Sequence, residues 1–594
     1  MVAHSNTGMG HVFGVSNSLG GRAWRWRASA NAVAASDDGD GLIDELLRAR
    51  GVAPEDVERH RNPTLRDFLP DPTIFNGMRE AADRIADAVE AKQTVTIYGD
   101  YDVDGATSAA LLVRLLRGLG LKAKYYIPDR LLEGYGPSGE ALVELGKAGS
   151  DLVVTVDCGA MAFDALQQAC DAGVEVIVVD HHKCAAELPS CVALVNPNRL
   201  DETDEAASFG HLAAVGVAFL LAIEVVRTLR ARDFFKGRSE PNLLELLDLV
   251  ALGTVADVAA LHGLNRAFVA QGLKVMAKRD NTGMAALIDA SRLKRAPLCS
   301  DLGFALGPRI NAGGRVGEST LGVRLLTTGD GDEARTIAQQ LSDLNEDRRA
   351  IEAAVQEAAE AQVASQHNRS VLIAAGEGWH PGVIGIVAGR IKEKYGRPAI
   401  VIALDGEEGK GSGRSVVGVD LGAAIIAARG EGLLRAGGGH AMAAGLTVAA
   451  EQVEALSDWL EAKLEADVAK ASATRTTVLD LSVAPSGLTP DLVRSLERAG
   501  PYGVGWPGPR VAVGPVRLVK ADVVGNGHVR IIASGQDGAR FKGIGFRMAE
   551  SDLGQALLHN AAHRSLWLAG RVKIDDWGNR PSAELHLEDA AFAD

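Results

Sequence analysis

The sequence lacks an apolar run long enough to cross a lipid bilayer. Its longest nearly uncharged apolar stretch, residues 212–223, is shorter than the ~18 residues that a membrane-spanning helix needs. We therefore interpret it as a buried core helix. The N-terminal residues Met-Val-Ala-His-Ser also lack the basic and apolar regions of a secretory signal. The expectation is a cytoplasmic protein with no membrane segment.

Cysteine is scarce, and no two cysteines form a Cys-x-x-Cys pair. This argues against a structural zinc site and against a disulfide framework. The chain also has no Walker-type phosphate loop, so ATP is not expected to take part in its reaction. The five cysteines are Cys158, Cys170, Cys184, Cys191 and Cys299.

Positive charge is also in short supply. The chain has 62 Lys and Arg against 77 Asp and Glu, which gives a formal net charge of −15. The simplest nucleic-acid-binding protein is basic instead. Any binding of nucleic acid must therefore depend on local basic patches and on metal ions.

At 594 residues the chain is too long for one hydrophobic core. Residues 1–40 show no sustained periodicity and are expected to be a loosely ordered segment. From about 80 to 260, β-rich runs alternate with helical stretches, which predicts a parallel-sheet α/β domain. We expect this domain to extend over 41–330. Apolar spacing predicts one long connecting helix over 331–366. A second α/β domain is expected over 367–473. Short alternating runs with turn signals predict a small β-barrel or β-sandwich over 474–594.

Acidic and histidine residues follow predicted strands of the first α/β domain. Ligands gather at the carboxyl ends of parallel strands, so these loops are expected to converge on one place. Taken singly, an Asp-x-Asp sequence is usually a solvated turn and a His-His pair is usually structural. Four such clusters, three at strand ends and the fourth just after an apolar helix, are hard to assemble by chance. Their central residues are Asp102, Asp104, Asp157, His181, His182 and Asp257.

Several hard oxygen ligands with one or two imidazoles suit Mn²⁺ or Mg²⁺ better than a soft metal. Phosphoryl transfer is the chemistry that needs such ligands, because divalent ions generate the nucleophile and neutralise charge in the transition state. The sequence therefore predicts a metal-dependent phosphoesterase.

The four clusters resemble the motifs of the DHH phosphoesterase superfamily in order and spacing. The matching segments are Tyr-Gly-Asp-Tyr-Asp-Val-Asp-Gly at 98–105, Val-Asp-Cys-Gly at 156–159, Asp-His-His at 180–182 and Gly-Thr-Val-Ala-Asp-Val at 253–258. The resemblance implies two ions in each active site. One would be held by Asp104, Asp157, His181 and Asp257, and the other by Asp102 with Asp157 as the bridge.

The same resemblance implies that His182 faces the scissile phosphate. It also exposes a departure from the superfamily pattern, since many members have histidine where this chain has Tyr98. That difference implies a second ion held partly by water and bound more weakly.

Residues 307–315 place two guanidinium groups around glycines, in what we interpret as a glycine-rich turn suited to bidentate phosphate contacts. An ordinary structural turn fits the same residues. The stretch nevertheless resembles the signature of the RecJ branch of the superfamily, as do 127–130 and 133–136. The substrate-binding residues expected from these segments are Arg130, Arg309, Asn311 and Arg315.

Two glycine-rich segments, 411–415 and 437–440, resemble the DHH-associated domain, whose glycines let backbone amides approach a phosphate. Ordinary loops share such glycines, but here each segment also carries a hydroxyl, guanidinium or imidazole. The substrate-binding residues expected here are Ser412, Arg414, Ser415 and His440. By resemblance, Arg130, Ser412 and Arg414 would hold the 5′ end of a strand.

The C-terminal module has the alternation of an OB-fold. Its basic residues are interspersed with Phe541, Phe546, Trp567 and Trp577. Stacking and phosphate neutralisation together define a groove for single strands. The alternative is a scaffold barrel with a solvated exterior.

By the RecJ resemblance, the expected activity is processive 5′→3′ hydrolysis of single-stranded DNA to 5′-mononucleotides in DNA repair and recombination. Direction and processivity come from the family alone. The implied partners are single-stranded DNA, with a single-strand-binding protein and a repair helicase as candidates. Two rivals stay open. One is a hydrolase of nano-RNA, cyclic dinucleotides or pyrophosphate, and the other is a catalytically silent DNA-binding scaffold.

Overall fold

The structure is a computed structural model that describes residues 11–27, 39–129, 133–134, 136–559, 564–575 and 581–593. The chain divides into two compact units. One unit comprises Pro63–Ala350 and Pro501–Pro507, and the other comprises Met1–Asn62, Ile351–Gly500 and Gly508–Asp594. No helix within the described ranges is both long enough and apolar enough to cross a membrane.

Residues 11–62 form β1 (Ala23–Trp26), α1 (Gly39–Ala49) and α2 (Val57–Arg61). We expected residues 1–40 to be loosely ordered, but residues 11–27 are packed. β1 pairs in parallel with residues 476–479, and Trp24 is fully buried. Burying a tryptophan in this way removes a large apolar surface from water, which explains why a segment without periodicity is ordered.

The unit that comprises Pro63–Ala350 is built on a parallel five-stranded sheet, as the alternation of strands and helices predicted. The strands are β2 (Val95–Gly99), β3 (Ala123–Tyr126), β4 (Leu152–Val156), β5 (Val176–Val179) and β6 (Ala193–Val195). Their order in the sheet is β3-β2-β4-β5-β6. β2, β4 and β5 are buried at every position, the pattern of a parallel sheet covered on both faces.

The helices of this unit cover the sheet and extend beyond it. They are α3 (Leu65–Phe68), α4 (Met78–Ala91), α5 (Val103–Gly118), α6 (Gly139–Lys147), α7 (Phe163–Asp171), α8 (Asp204–Ala207), α9 (Ala214–Ala231), α10 (Leu247–Ala256), α11 (Gly263–Met276), α12 (Thr282–Ala290), α13 (Cys299–Asp301), α14 (Gly307–Val316) and α15 (Leu321–Thr327). A π-helical turn, Leu302–Leu306, joins α13 to α14. The buried helix α9 confirms the core-helix interpretation of residues 212–223.

A long helix, α16 (Gly331–Val363), follows in the region where a connecting helix was predicted. The boundary between the two units falls inside it, between Ala350 and Ile351. Short 3-10 helices complete the helical structure: Val12–Gly14, Pro54–Asp56, Pro72–Ile74, Leu243–Leu246, Ala450–Gln452 and Pro485–Gly487.

The second α/β domain has a mixed sheet with the strand order β10-β11-β9-β8-β7. Its strands are β7 (Leu372–Glu377), β8 (Ala399–Asp405), β9 (Glu408–Arg414), β10 (Ala436–His440) and β11 (Ala443–Ala449), and its helices are α17 (Ile384–Tyr395), α18 (Leu421–Gly430) and α19 (Val453–Ala473). The glycine-rich segments 411–415 and 437–440 lie largely within β9 and β10.

The C-terminal domain is a closed barrel, which confirms the predicted OB-like fold. Five strands pair in a ring, β14-β15-β16-β18-β17, closed by β14 pairing with β17. Its elements are β12 (Thr476–Leu479), β13 (Leu481–Val483), α20 (Pro490–Arg498), β14 (Val511–Val524), β15 (His528–Gly535), β16 (Arg540–Gly545), α21 (Asp552–His559), β17 (Leu566–Asp575) and β18 (Ser582–Phe592).

A buried carboxylate ties residues 11–27 to this barrel. Asp589 on β18 accepts hydrogen bonds from Trp24 Nε1 at 2.8 Å, Ser18 Oγ at 2.8 Å and Thr477 Oγ1 at 3.0 Å. Because a buried carboxylate is costly unless it is hydrogen-bonded, these donors make the packing specific.

Candidate functional site

Side chains from four loops meet at the carboxyl edge of the parallel sheet. Their ligand atoms form three overlapping groups, and within each group the atoms lie within 4.8 Å of one another. The groups are Asp157 with His181 and His182; Asp104 with His181 and Asp257; and Asp100 with Asp102 and Asp157. The structure therefore brings together all six acidic and histidine residues that the sequence singled out.

Asp104 is fixed by the N-terminus of α9. Its Oδ2 accepts a hydrogen bond from the amide of Ala214 at 2.6 Å, and its Oδ1 accepts one from Val215 at 2.9 Å. These amides stabilise the charged form of Asp104. Burial and the charges of Asp257 and Asp102 outweigh them and raise the pKa of Asp104 well above the usual range. The carboxylate is thus oriented and short of positive charge.

Asp157 directly follows β4 and is buried, with a left-handed φ of 62°. Burial, followed by the charges of Asp104 and Asp102, raises its pKa well above the usual range. A buried carboxylate with acidic neighbours gains most from a cation placed among them.

His181 presents one ring nitrogen to the carboxylates. Its Nδ1 lies 3.0 Å from the carbonyl oxygen of Leu212, which favours the tautomer with the proton on Nδ1 and a lone pair on Nε2. Nε2 lies 3.2 Å from Asp157 Oδ1 and 3.9 Å from Asp104 Oδ2. Burial and the neighbouring His182 lower the pKa of His181. A neutral imidazole held by a backbone carbonyl is the form that ligates metals.

His182 is paired with Asp180, a residue to which the sequence analysis gave no role. Its Nδ1 lies 2.7 Å from Asp180 Oδ1. Burial lowers the pKa of His182, but the hydrogen bond and charge of Asp180 outweigh it and the net shift is upward. Asp180 also accepts backbone hydrogen bonds from Ala160, His181 and His182, so its carboxylate orients the whole Asp-His-His loop.

Asp257 and Asp102 complete the cluster from two helix ends. Asp257 caps the C-terminus of α10, and burial, followed by the charge of Asp102, raises its pKa to about 7. Asp102 is the N-cap of α5 and accepts the amides of Asp104 and Gly105. Tyr98 donates its hydroxyl to the carbonyl of Gly136 at 3.2 Å.

The donor set fits a divalent cation of the Mn²⁺ or Mg²⁺ class. Buried Nε2 of His181 has no hydrogen-bond partner among the described residues, although it points into a group of carboxylates. Oxygen ligands with a single imidazole suit these hard ions. Asp100 was missed as a possible ligand, although it opens the same Asp-x-Asp-x-Asp sequence.

The segment 307–315 is helix α14, and the prediction of a glycine-rich turn was wrong. It carries Asn311 and Arg315. Its glycines serve close packing, since a methyl group at Gly314 would lie 2.5 Å from the carbonyl oxygen of Tyr101. Arg309 donates to Ser342 Oγ at 2.8 Å and to the Ala305 carbonyl at 2.7 Å, so its guanidinium braces the preceding π-helical turn.

Ser412 and Arg414 lie on β9, opposite the N-terminal turn of α17. A methyl group at Gly385 would lie 2.9 Å from Ser412 Oγ and 3.1 Å from Arg414 Nη2. Arg414 donates to Ser412 Oγ and to the Gly413 carbonyl, and burial lowers its pKa. Among the described residues no carboxylate pairs with it. A half-buried guanidinium at a helix N-terminus is suited to an anion from outside.

The remaining substrate-binding predictions have different outcomes. Ser415 is buried and donates its hydroxyl to the Val419 carbonyl at 2.7 Å, which closes the turn after β9. His440 is exposed at the end of β10, in register with Ala443 and, across β11, with Arg414. Arg130 lies outside the described residues.

On the barrel, several basic residues predicted to line a groove are paired with acids. Arg530 and Lys520 contact Asp522, Lys542 lies 3.6 Å from Asp575, and Arg571 lies 2.9 Å from Glu588.

Of the predicted aromatic residues of the barrel, Phe541 is buried, whereas Phe546 is 53% exposed. The rings of His528 and His586 lie 5.3 and 5.1 Å from that of Phe546. Trp577 lies outside the described residues.

Three family models match consecutive parts of the chain. They are the DHH family, N-terminal domain, at residues 94–254; the DHHA1 domain at 368–466; and the RecJ OB domain at 479–589. They cover the parallel-sheet domain, the mixed-sheet domain and the barrel respectively.

Whole-chain relatives match over nearly the full length. The single-stranded-DNA-specific exonuclease RecJ of Dickeya dadantii is 36% identical, over 92% of this chain and 95% of the relative. The Escherichia coli protein of the same name is 35% identical, also over 92% and 95%.

Two crystal structures of RecJ from Thermus thermophilus share the fold. The structure in complex with Mn²⁺ has a TM-score of 0.73 and 30% sequence identity, covering 92% of this chain and 77% of that one. The structure in complex with Mg²⁺ has a TM-score of 0.67 and 29% identity, covering 92% and 76%.

Proposed function

Because this chain belongs to the RecJ family of single-stranded-DNA-specific exonucleases, we propose that it removes nucleotides one at a time from the 5′ end of single-stranded DNA. The observation that carries the proposal is the meeting of four loops at one carboxylate and imidazole cluster. The products are 5′-mononucleotides, and the strand stays bound between successive cleavages.

The proposed chemistry uses two divalent ions, Mn²⁺ or Mg²⁺, in each site. Asp104, Asp157, His181 and Asp257 would hold one ion, and Asp102 with Asp157 would hold the other. Once bound, such ions activate the attacking water and neutralise charge on the phosphodiester. The chain contributes the orientation: the amides of α9 fix Asp104, and the Leu212 carbonyl fixes the ring of His181.

His182 is proposed to contact the scissile phosphate. Asp180 raises the pKa of His182, and this favours the imidazolium form, which can donate to a phosphate oxygen. A charge-assisted hydrogen bond of this kind is stronger than a neutral one. The same contact can stabilise the charge that develops as the ester bond breaks.

Recognition of the 5′ end is proposed to fall to Ser412 and Arg414, together with Arg130. Support comes from the half-buried guanidinium of Arg414, which has no acidic partner among the described residues and faces Gly385. A terminal phosphate would satisfy that charge and would also meet the positive end of α17.

We propose that this activity serves DNA repair and recombination. The proposed location is the cytoplasm. A single-strand-binding protein and a repair helicase are the proposed partners, because both supply or cover single strands. The barrel would add to the binding of the strand, with Phe546 as an exposed stacking surface.

Digestion of matched oligonucleotides tests the proposal. With Mn²⁺, a single strand should be shortened and the same sequence in a blunt duplex should persist. A 5′ label should appear at once in mononucleotide, whereas a 3′ label should pass from the uncut strand to the shortest end products with few intermediates. The reverse pattern of labels would contradict the direction. Hydrolysis of dinucleotides alone would favour the small-substrate rival, and binding without hydrolysis would favour a silent scaffold.

A further inference from the structure

Two apolar side chains are exposed on segments that adjoin the helices of the acidic cluster. Phe304 is 80% exposed and Val258 is 63% exposed. Val258 directly follows the metal-ligand candidate Asp257 and has a left-handed φ of 64°, a conformation that is strained for a β-branched residue. Single exposed apolar residues are ordinary on protein surfaces, so the argument depends on where these two lie.

The π-helical turn that carries Phe304 is braced against both helices that bear metal-ligand candidates. A methyl group at Gly307 would lie 3.3 Å from Ala256 Cβ and 3.8 Å from Val103 Cγ2, and one at Gly303 would lie 3.6 Å from Val255 Cγ1. Ala256 precedes Asp257 on α10, and Val103 lies between Asp102 and Asp104. Phe304 therefore lies on a turn that packs against the two helices whose ends carry Asp102, Asp104 and Asp257.

The conformation of this turn is maintained by a specific contact. Arg309 Nη1 donates to the carbonyl of Ala305 at 2.7 Å, and its Nε donates to Ser342 Oγ at 2.8 Å. π-Helical turns are rare and occur frequently at functional sites. Here the turn holds a phenylalanine ring in water, at the edge of a site whose other side chains are carboxylates and imidazoles.

We propose that Phe304 stacks on a nucleobase of the bound single strand close to the scissile phosphodiester, with Val258 completing the apolar surface. The inference rests on the proposed function. Carboxylates and cations account for binding of the phosphate, but they offer nothing to the flat apolar face of a base. An exposed aromatic ring can stack on the face of any base. A nuclease that digests strands of any sequence needs such a sequence-independent contact.

Kinetics of the full-length protein with Mn²⁺ test this contact. Phe304→Ala should raise KM for a single-stranded oligonucleotide by roughly tenfold, the order expected for loss of one base–aromatic stack, while kcat changes little. Phe304→Trp should restore KM because the aromatic face returns. Leu244→Ala is the matched control, since Leu244 is 55% exposed in the same unit but lies on a 3-10 helix outside the proposed site.

Abasic substrates show whether the lost partner is a base. In the wild type, one abasic residue stepped along the strand should slow hydrolysis most when it reaches Phe304. In Phe304→Ala that positional penalty should disappear. A KM unchanged by Phe304→Ala, or a penalty that persists in the variant, would overturn the inference while leaving the nuclease proposal intact. A wild type that leaves single strands undigested would overturn both.

Discussion

Asp157 combines burial, acidic neighbours and a left-handed backbone at one residue. Asparagine tolerates that backbone better than alanine does, so Asp157→Asn is the sharper substitution. It should reduce Mn²⁺-dependent hydrolysis by more than about 100-fold, because even outer-shell partners of metals are worth 10–100-fold. Gel-based turnover measurements at saturating Mn²⁺ check this.

Thermal unfolding separates loss of the ion from loss of the fold in this variant. Mn²⁺ should raise the Tm of the wild type and leave that of Asp157→Asn unchanged, since only a bound ion stabilises the folded state. Asp164→Asn, an exposed carboxylate at the start of α7, is the control and should behave as the wild type. A variant with near-normal turnover would exclude Asp157 as a ligand.

His182 lies near enough to Asp157 and His181 to be a ligand itself, so its role needs a direct test. We predict that His182→Ala lowers kcat by about 100-fold or more, the scale of removing one donor that stabilises transition-state charge, with little change in Mn²⁺ affinity by calorimetry. An equal loss of affinity would make His182 a ligand.

Asp180 offers a test of the charge on His182. Because Asp180 raises the pKa of His182, Asp180→Asn should lower that pKa. If the imidazolium is the active form, the alkaline limb of the kcat profile should then move to lower pH. A limb that stays in place would assign Asp180 to loop structure alone.

At this scale the sequence predicted the residues that meet in the cluster, because their positions after strands determine where they point. It did not give a role to Asp100 or Asp180. Asp180 acts through backbone amides and a neighbouring ring, and such contacts leave no pattern in spacing. Contact of Arg309 with substrate stays a prediction. Its hydrogen bonds to Ala305 and Ser342 are contacts that only tertiary structure reveals.

Helix α17 provides a matched pair of glycines at the scale of the element. Gly385 faces Ser412 and Arg414, whereas nothing lies within 4 Å of a methyl group at Gly389. Gly385→Ala should therefore reduce the preference for a 5′-phosphate over a 5′-hydroxyl end by about tenfold or more, the factor that corresponds to losing a charged hydrogen bond. Rates on the two kinds of end measure the preference.

Gly389→Ala is the control on the same helix. Alanine is the better helix former by about 1 kcal/mol, so this variant should keep the end preference and be slightly more stable. If Gly385→Ala also keeps the preference, the 5′ end does not bind beside α17, and Arg414 has another partner.

Strand β9 shows why some elements escaped prediction. Glycine is unfavourable in strands, so Gly-Lys-Gly-Ser-Gly-Arg at 409–414 carries no strand signal. Methyl groups at Gly409, Gly411 and Gly413 would lie 2.6 to 2.7 Å from Ile402, Leu446 and Leu421, because large neighbours already fill that face. The alternate residues Ser412 and Arg414 are thereby presented on the other face.

For the whole molecule, the acidic cluster predicts an unusual pH dependence of stability. Asp257 has its pKa raised to about 7, and those of Asp104 and Asp157 are also raised. The folded state therefore holds more protons than the unfolded state above the ordinary carboxyl pKa. This contribution to stability is complete below that pKa and is lost as pH rises through the folded pKa.

The Tm of the metal-free protein should accordingly fall as pH rises from about 5 to about 8. Asp257→Asn should flatten this decline, and saturating Mn²⁺ should remove it because the cation replaces the protons. Calorimetric scans across this range check the slope. A Tm decline of equal slope in the metal-free wild type and in Asp257→Asn would contradict the raised pKa of Asp257.

The domain classes were predictable because they depend on hydrophobic alternation, which is local in sequence. The placement of residues 11–27 was not, because their partners are remote: β1 pairs with β12, and Trp24 donates to Asp589. A segment with one buried tryptophan has no periodicity to detect.

This remote pairing sets an order of events during synthesis. Ser18 and Asp589 are 571 residues apart, so the ribosome releases Trp24 long before β18 exists to receive it. Barrel closure, and with it the docking of residues 11–27, must therefore wait until β18 has left the ribosome. A ribosome stalled before β18 holds a chain whose β1 has no complete site to occupy.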